Sequence, residues 1–249
     1  MSFSITQKDL RSIWRGPLIW LVLAIITFIS SWLVWQMLDR YVSLQSSFSA
    51  LPNPPNITDT LWQPFVITLA QLMMLPVALT TGLSLAQERA QQTLWYLLIN
   101  RSSSGAVIWQ KFKAQLVIVF FAWLMMLVVA LLLINGGDVN LLQLFSAALG
   151  MALYVIWLSA LGLMISAALQ STGTAVLLNL LVFILFWLIG YESNNQGFGL
   201  NWLLLLSPVH HLRWLCSGEI GVSSLLYFLA GAAVFLKLAV MNLNAVKKS

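Results

Sequence analysis

The chain has 249 residues, of which 60% are hydrophobic and 8% charged, with 12 Lys and Arg against 7 Asp and Glu. So few charges exclude an ordinary water-soluble domain, which is about a quarter charged; with a mean hydropathy of +0.90, lipid is the expected solvent for most of the surface. The single cysteine, Cys216, excludes an internal disulfide scaffold and a cysteine-cluster metal site.

The charges act as fences along the chain. Arg15 and Asp39 enclose 23 uncharged, mostly apolar residues, so 17–38 is the first expected span. About 20 helical residues cross a hydrocarbon core of roughly 30 Å. Lys8, Arg11 and Arg15 resemble the basic start of a signal peptide, but the apolar run is too long for one. A retained anchor is expected.

Residues 39–60 change composition, with Asp39, Arg40, serines and Pro52, Pro54 and Pro55, and read as an aqueous loop. The triplet Asn56-Ile57-Thr58 in it is a sequon that chance also produces often. Span two is 61–86, with Pro64 and Pro76 inside it. Its Gln71, Thr80, Thr81 and Ser84 face protein or water, or bond their own backbone.

Residues 87–113 carry Glu88, Arg89, Arg101, Lys111 and Lys113 and read as a second aqueous loop. Leu94, Leu97 and Leu98 give it a short amphipathic helix, broken at 100–105, before a second helical start. That is a docking surface for a partner, or a connector lying at the lipid headgroups. Span three is 114–134. The next 53 residues, Val139 to Tyr191, carry no charge. The turn cluster Gln170-Ser171-Thr172-Gly173-Thr174 divides them into spans four and five, 141–169 and 174–190.

Leu200 to Leu206 is too short to cross and suits a re-entrant or interfacial helix, which Pro208 would end. Span six is 222–243. Lys237, near its end, is a pathway candidate or a side chain that snorkels to the interface.

The expected fold is therefore all-α, one domain over residues 1–249 with six transmembrane helices. Six spans place both termini, the 87–113 loop and the 170–174 turn on one side. Ten of the twelve Lys and Arg fall there; only Arg40 and Arg213 do not. The positive-inside rule makes that side cytoplasmic, in a cell inner (plasma) membrane. The net charge of +5 thus belongs to membrane topology and gives no reason to expect nucleic acid.

Enzyme signatures are sparse. There is no G-x-x-x-x-G-K-[ST], so no nucleotide-hydrolysing loop, and no H-E-x-x-H. His210 and His211 are adjacent and point about 100° apart on a helix, which suits joint metal ligation poorly. No acid lies at the middle of a span, which disfavours a self-contained proton-driven carrier. The chain is expected not to be catalytic by itself and to hold no metal or other cofactor of its own.

Three segments together resemble the ABC-2 type permeases, in the branch of the gliding-motility and nitrous-oxide-reductase-maturation permeases. The first is Lys8-Asp9-Leu10-Arg11, then Trp14 and Pro17. The second is Gln87-Glu88-Arg89 and Thr93-Leu94, leading through Lys111-Phe112 into span three. The third is Ser207-Pro208-Val209-His210-His211, then Gly218 and Tyr227-Phe228. The chain departs from that pattern at Gln92 and Gln110, where the family has Gly, at Trp95, where it has an acid, and near Arg101, where a turn Pro is usual.

The resemblance implies the permease subunit of an ATP-driven exporter. Its partners would be a cytoplasmic ATPase, which holds ATP and Mg, and a second copy or a sister permease. An interfacial N-terminal helix with Lys8, Leu10, Arg11 and Trp14 would rest on the ATPase, as would a coupling loop with Glu88, Arg89, Thr93, Leu94, Arg101 and Lys111. Ser207, Pro208, His210 and His211, in the 200–215 segment, would form the external gate. The alternative is a membrane scaffold or assembly factor without transport.

Overall fold

The computed structural model describes residues 16–48, 57–94, 103–136, 139–192 and 205–248. They form seven α-helices and no strand among the described residues. These are α1 (Pro17–Phe48), α2 (Gln63–Ala90), α3 (Ser104–Gly136), α4 (Leu141–Ala168), α5 (Thr172–Glu192), α6 (Pro208–Cys216) and α7 (Val222–Lys248). A π-helical turn, Thr58–Trp62, leads into α2. All but α6 are long and apolar enough to cross a membrane, six in number, and the chain is a multi-pass membrane protein.

The helices outrun the expected spans. The loop expected from residue 39 begins later, because α1 continues to Phe48. Asp39 and Arg40 end the apolar run, but neither they nor the serines that follow break a helix. Similarly, α2 continues to Ala90 and α3 starts at Ser104, so much of the expected 87–113 loop is helical extension of two spans. The break between spans four and five falls at 169–171, with Leu169 in extended backbone.

The short helix expected before Pro208, over 200–206, lies mostly outside the described residues. Pro208 itself opens α6. Ser207 before it is extended (φ −84°, ψ 121°), as the residue before a proline prefers. A proline at the first helical position loses no hydrogen bond, since that N–H has no partner inside the helix. With 9 residues, α6 rises about 14 Å and does not cross a bilayer.

Among the spanning helices α4 is the axis, 78% buried along its apolar window, against 61% for α2 and 22–28% for the others. It packs against α7, α2, α3, α5 and α6. In lipid, helices gain little by hiding apolar surface from each other, so small residues and polar bonds decide which faces meet. The sequence of α4 supplies both. Its Gly150 lies under Leu212 and Leu215 of α6, and its Gly162 under Thr81 of α2. Asn140 caps it, accepting from the N–H groups of Leu142 and Gln143 at 3.1 and 3.4 Å.

At mid-height α4 and α7 meet through an aromatic cluster. Buried Trp157 stacks on Tyr227 at 5.9 Å and meets Phe186 and Phe235 edge-on, each at 5.2 Å. Gly231 is what lets the indole in. A Cβ there would fall on Trp157 Nε1 and lie 2.8 Å from Cδ1. Gly231→Val should therefore lower stability by about 1–3 kcal/mol through overpacking. Thermal unfolding in detergent checks this, with Gly105→Val, which has open space at Cβ, as the neutral control.

Candidate functional site

The candidate residues gather at the two ends of the bundle. Lys8, Leu10, Arg11, Trp14 and Arg101 lie outside the described residues, as do Leu97, Leu98 and residues 200–204.

At one end, α2 finishes, α3 begins and α4 finishes. Lys111 of α3 is fully buried and its Nζ lies 2.9 Å from a Glu88 carboxylate oxygen of α2. The same ammonium donates to the Ser84 carbonyl at 3.0 Å. Ser84 lies more than a turn before the end of α2, so the ammonium adds a second donor to a carbonyl inside that helix. One residue on from Glu88, Arg89 Nη1 donates to the Ala167 and Ala168 carbonyls at 3.2 and 3.4 Å, satisfying last acceptors that α4 leaves open.

Between α2 and α4, the Ser166 hydroxyl donates to the Gly82 carbonyl at 3.2 Å. It accepts from the Leu85 and Ala86 N–H groups at 3.2 and 3.1 Å. Beneath lies a small core in which Leu94 packs with Leu85, Val107, Ile108, Phe112 and Leu163. Of the sequence candidates, Glu88, Arg89, Leu94 and Lys111 are thus brought together, and each is engaged within the bundle.

The chain leaves α2 through a tight reversal. Gln92 takes a left-handed backbone (φ 58°). The Gln92 N–H donates to Arg89 O at 3.1 Å and the Thr93 N–H to Glu88 O at 2.9 Å, a Schellman turn. The Thr93 hydroxyl adds a bond to the same Glu88 carbonyl at 3.2 Å. Outside this turn Gln87, Ala90, Gln91 and Gln92 are exposed.

Deeper along α2, both sequence readings of its threonines hold. Thr80 and Thr81 donate to their own helix at Pro76 O and Val77 O, at 2.8 and 2.6 Å. They also tie it to its neighbours. Thr80 is 2.7 Å from Gln115 Oε1 of α3, and Asn179 of α5 donates to Thr81 Oγ1 at 3.1 Å. Gln71 is exposed instead, as is Lys237 on α7.

At the opposite end, α2, α4 and α7 begin, and α6 lies between them. Ser146 and Gln143 of α4 donate to the last carbonyls of α6, Leu215 O at 2.7 Å and Cys216 O at 3.1 Å. The Gln143 amide also reaches Asp59 Oδ1 at 2.8 Å, so one side chain joins three elements. Thr58 is buried there, with its hydroxyl 3.4 Å from the Asn140 N–H; Asn56 of the sequon lies outside the described residues.

The histidines part company. His211 is buried, stacked on Tyr227 at 4.2 Å. Its Nε2 is 3.1 Å from Leu205 O, which only accepts, so Nε2 carries the proton. Nδ1 then accepts from the Ser224 hydroxyl of α7 at 3.1 Å. His210 points outward and accepts at Nε2 from Trp214 Nε1 at 3.1 Å. Ser207, fully buried, donates weakly to Phe186 O of α5 at 3.4 Å.

Sequence reasoning missed Ser166, Gln143, Ser146 and Ser224. Their signal was weak: Ser146, Gly150, Ser159, Gly162 and Ser166 recur on α4 at spacings of three, four or nine, which marks small and polar faces without naming partners. Among the described residues no group of three His, Cys, Asp or Glu is placed to hold a metal. Compared with known proteins, the chain matches no family model and no curated sequence.

Burial lowers the pKa of His211 from its usual 6.5, against an opposing push from the Leu205 hydrogen bond. Burial lowers that of His210 too, helped by His211 and Arg213. An opened corner therefore takes up protons before the closed one does. The contribution of both histidines is complete above about pH 6.5 and is lost as pH falls. Cys216, buried at the end of α6 with its thiol pushed up to about 12, reports on it. Its alkylation rate, divided by that of the unfolded chain at each pH, should rise on going from about pH 7.5 to about pH 5. The rise should be smaller in His211→Gln.

Proposed function

We propose that this chain is the membrane-spanning subunit of an ATP-driven transporter of the ABC-2 type, an exporter that works with a separate cytoplasmic ATPase. The end of the bundle bearing Arg89, Lys111 and Lys113 would be its cytoplasmic end, by the charge count along the sequence. The observation that carries the reading is the reversal at the end of α2. The resemblance expects glycine at position 92, and the backbone there is left-handed, a conformation glycine adopts without strain. The backbone at 92 thus suits the family's glycine, although this chain carries Gln there.

The coupling role is then divided. Glu88, Arg89 and Lys111 set the shape of the docking end by joining α2, α3 and α4. The exposed Gln87, Ala90, Gln91 and Gln92, with Arg101 and the N-terminal Lys8, Leu10, Arg11 and Trp14, meet the ATPase. A push on the turn at 91–93 would move the ends of three helices as one body. At the far end α6, with Ser207, Pro208, His210 and His211, would open or close the external exit, hinged on the Ser224 and Tyr227 bonds to α7.

Affinity capture of the tagged full chain from its native membrane tests this. The expected result is a co-purifying soluble ATPase, its capture falling at least about tenfold when Glu88 and Arg89 are both changed to Ala. Reconstituted with that ATPase, the chain should show ATP-dependent changes in Cys216 alkylation. A stable complex with no nucleotide-dependent change would point to the scaffold reading. A chain that moves substrate across vesicles with no ATPase present would overturn the proposal.

A further inference from the structure

An apolar cleft of about 210 Å³ opens between α1, α2 and α3. Ile19, Trp20 and Leu23 of α1 form one wall, Val117 and Phe121 of α3 the other, and Pro76 of α2 closes the back. Thr80 also lines it, but its hydroxyl is turned to Pro76 O and Gln115. No charged side chain lines the cleft. In a bilayer such a space faces hydrocarbon, and the matching occupant is an acyl chain.

What stands above the cleft decides which lipid. Lys113, Val117, Phe120, Phe121 and Leu124 follow the helical repeat and share one face of α3. Lys113 lies one turn from Val117, toward the start of α3. It is exposed, whereas Lys111 two residues earlier points inward to Glu88. The Lys113 ammonium sits 5.6 Å from the ring centre of Trp109, itself 52% exposed and stacked on Phe112 at 5.7 Å. Long helical side chains lean toward the N-terminus, so this ammonium is carried from the hydrocarbon toward the headgroups. Tryptophan favours that same depth. Among the described residues no carboxylate is paired with Lys113.

We propose that the α1–α2–α3 cleft and Lys113 together form a site for one anionic phospholipid. An acyl chain lies along Val117 and Phe121, and the headgroup phosphate rests against the Lys113 ammonium, which Trp109 holds in place. The charge is complementary: a cation with no acid paired to it among the described residues stands one helical turn above an apolar cleft. The site depends on the chain spanning a membrane and not on transport, so it stands or falls separately from the permease reading.

Native mass spectrometry of the full-length chain tests it, after exchange into detergent with equal amounts of phosphatidylglycerol and phosphatidylcholine of identical chains. The wild type should retain phosphatidylglycerol in preference by about fivefold, the ratio expected for one lysine near an anionic surface. Lys113→Gln should bring the ratio to about one, and Lys113→Arg should keep it. Val117→Phe, which fills the cleft, should lower retention of both lipids with thermal unfolding unchanged. Equal retention of the two lipids by the wild type, or a preference that survives Lys113→Gln, would overturn the proposal. So would binding of inorganic phosphate as strong as that of the lipid, or retention untouched by Val117→Phe, since the cleft would then take no acyl chain.

Discussion

A carboxylate and an ammonium closed off from water, Glu88 and Lys111, set the terms for one end of this molecule. Removing two charges from water is expensive, and the expense is offset only when each group finds a partner of good geometry. Here the ammonium has two, the Glu88 carboxylate and the Ser84 carbonyl. The pair holds the end of α2 beside the start of α3, and Arg89 adds α4 through its last two carbonyls. What faces outward is then a row of uncharged glutamines, with the charges spent inside on shape.

The same economy of polar groups runs along α4. A bilayer offers little water to a buried hydroxyl or amide, and several on α4 bond to a neighbouring helix. Ser166 meets α2 at one end, and Ser146 and Gln143 meet α6 at the other. Between them, glycines bring backbones close enough for packing to hold. The bundle is therefore pinned at both ends by polar bonds and filled between them by Trp157 and its aromatic neighbours.

The sequence told most where one charge or one turn decides the matter. The limits of α4 and the reversal near 170 follow from uncharged length and a run of small polar residues. It told less where the deciding partner is distant. Nothing local says that Lys111 is buried, because its acid lies 23 residues back on another helix. Nothing local separates His211, held between α7 and the 205–206 turn, from His210, which faces outward. Gln92 hides the end of α2, since a glutamine in left-handed backbone carries no stop signal. Pro208 carries two signals at once, a stop for what precedes it and a start for α6, and only the second falls on described residues. Asp39 marks the end of an uncharged run, but α1 does not end with it and continues to Phe48.

A double-mutant cycle on unfolding in detergent, with Glu88→Gln, Lys111→Met and both together, bears most directly on the internal lock. Either single change strands a buried charge and should cost about 3–5 kcal/mol. The double variant, which strands none, should lose clearly less than the sum. Single variants close to wild type, or losses that add within about 0.5 kcal/mol, would mean that the two groups do not hold α2 to α3.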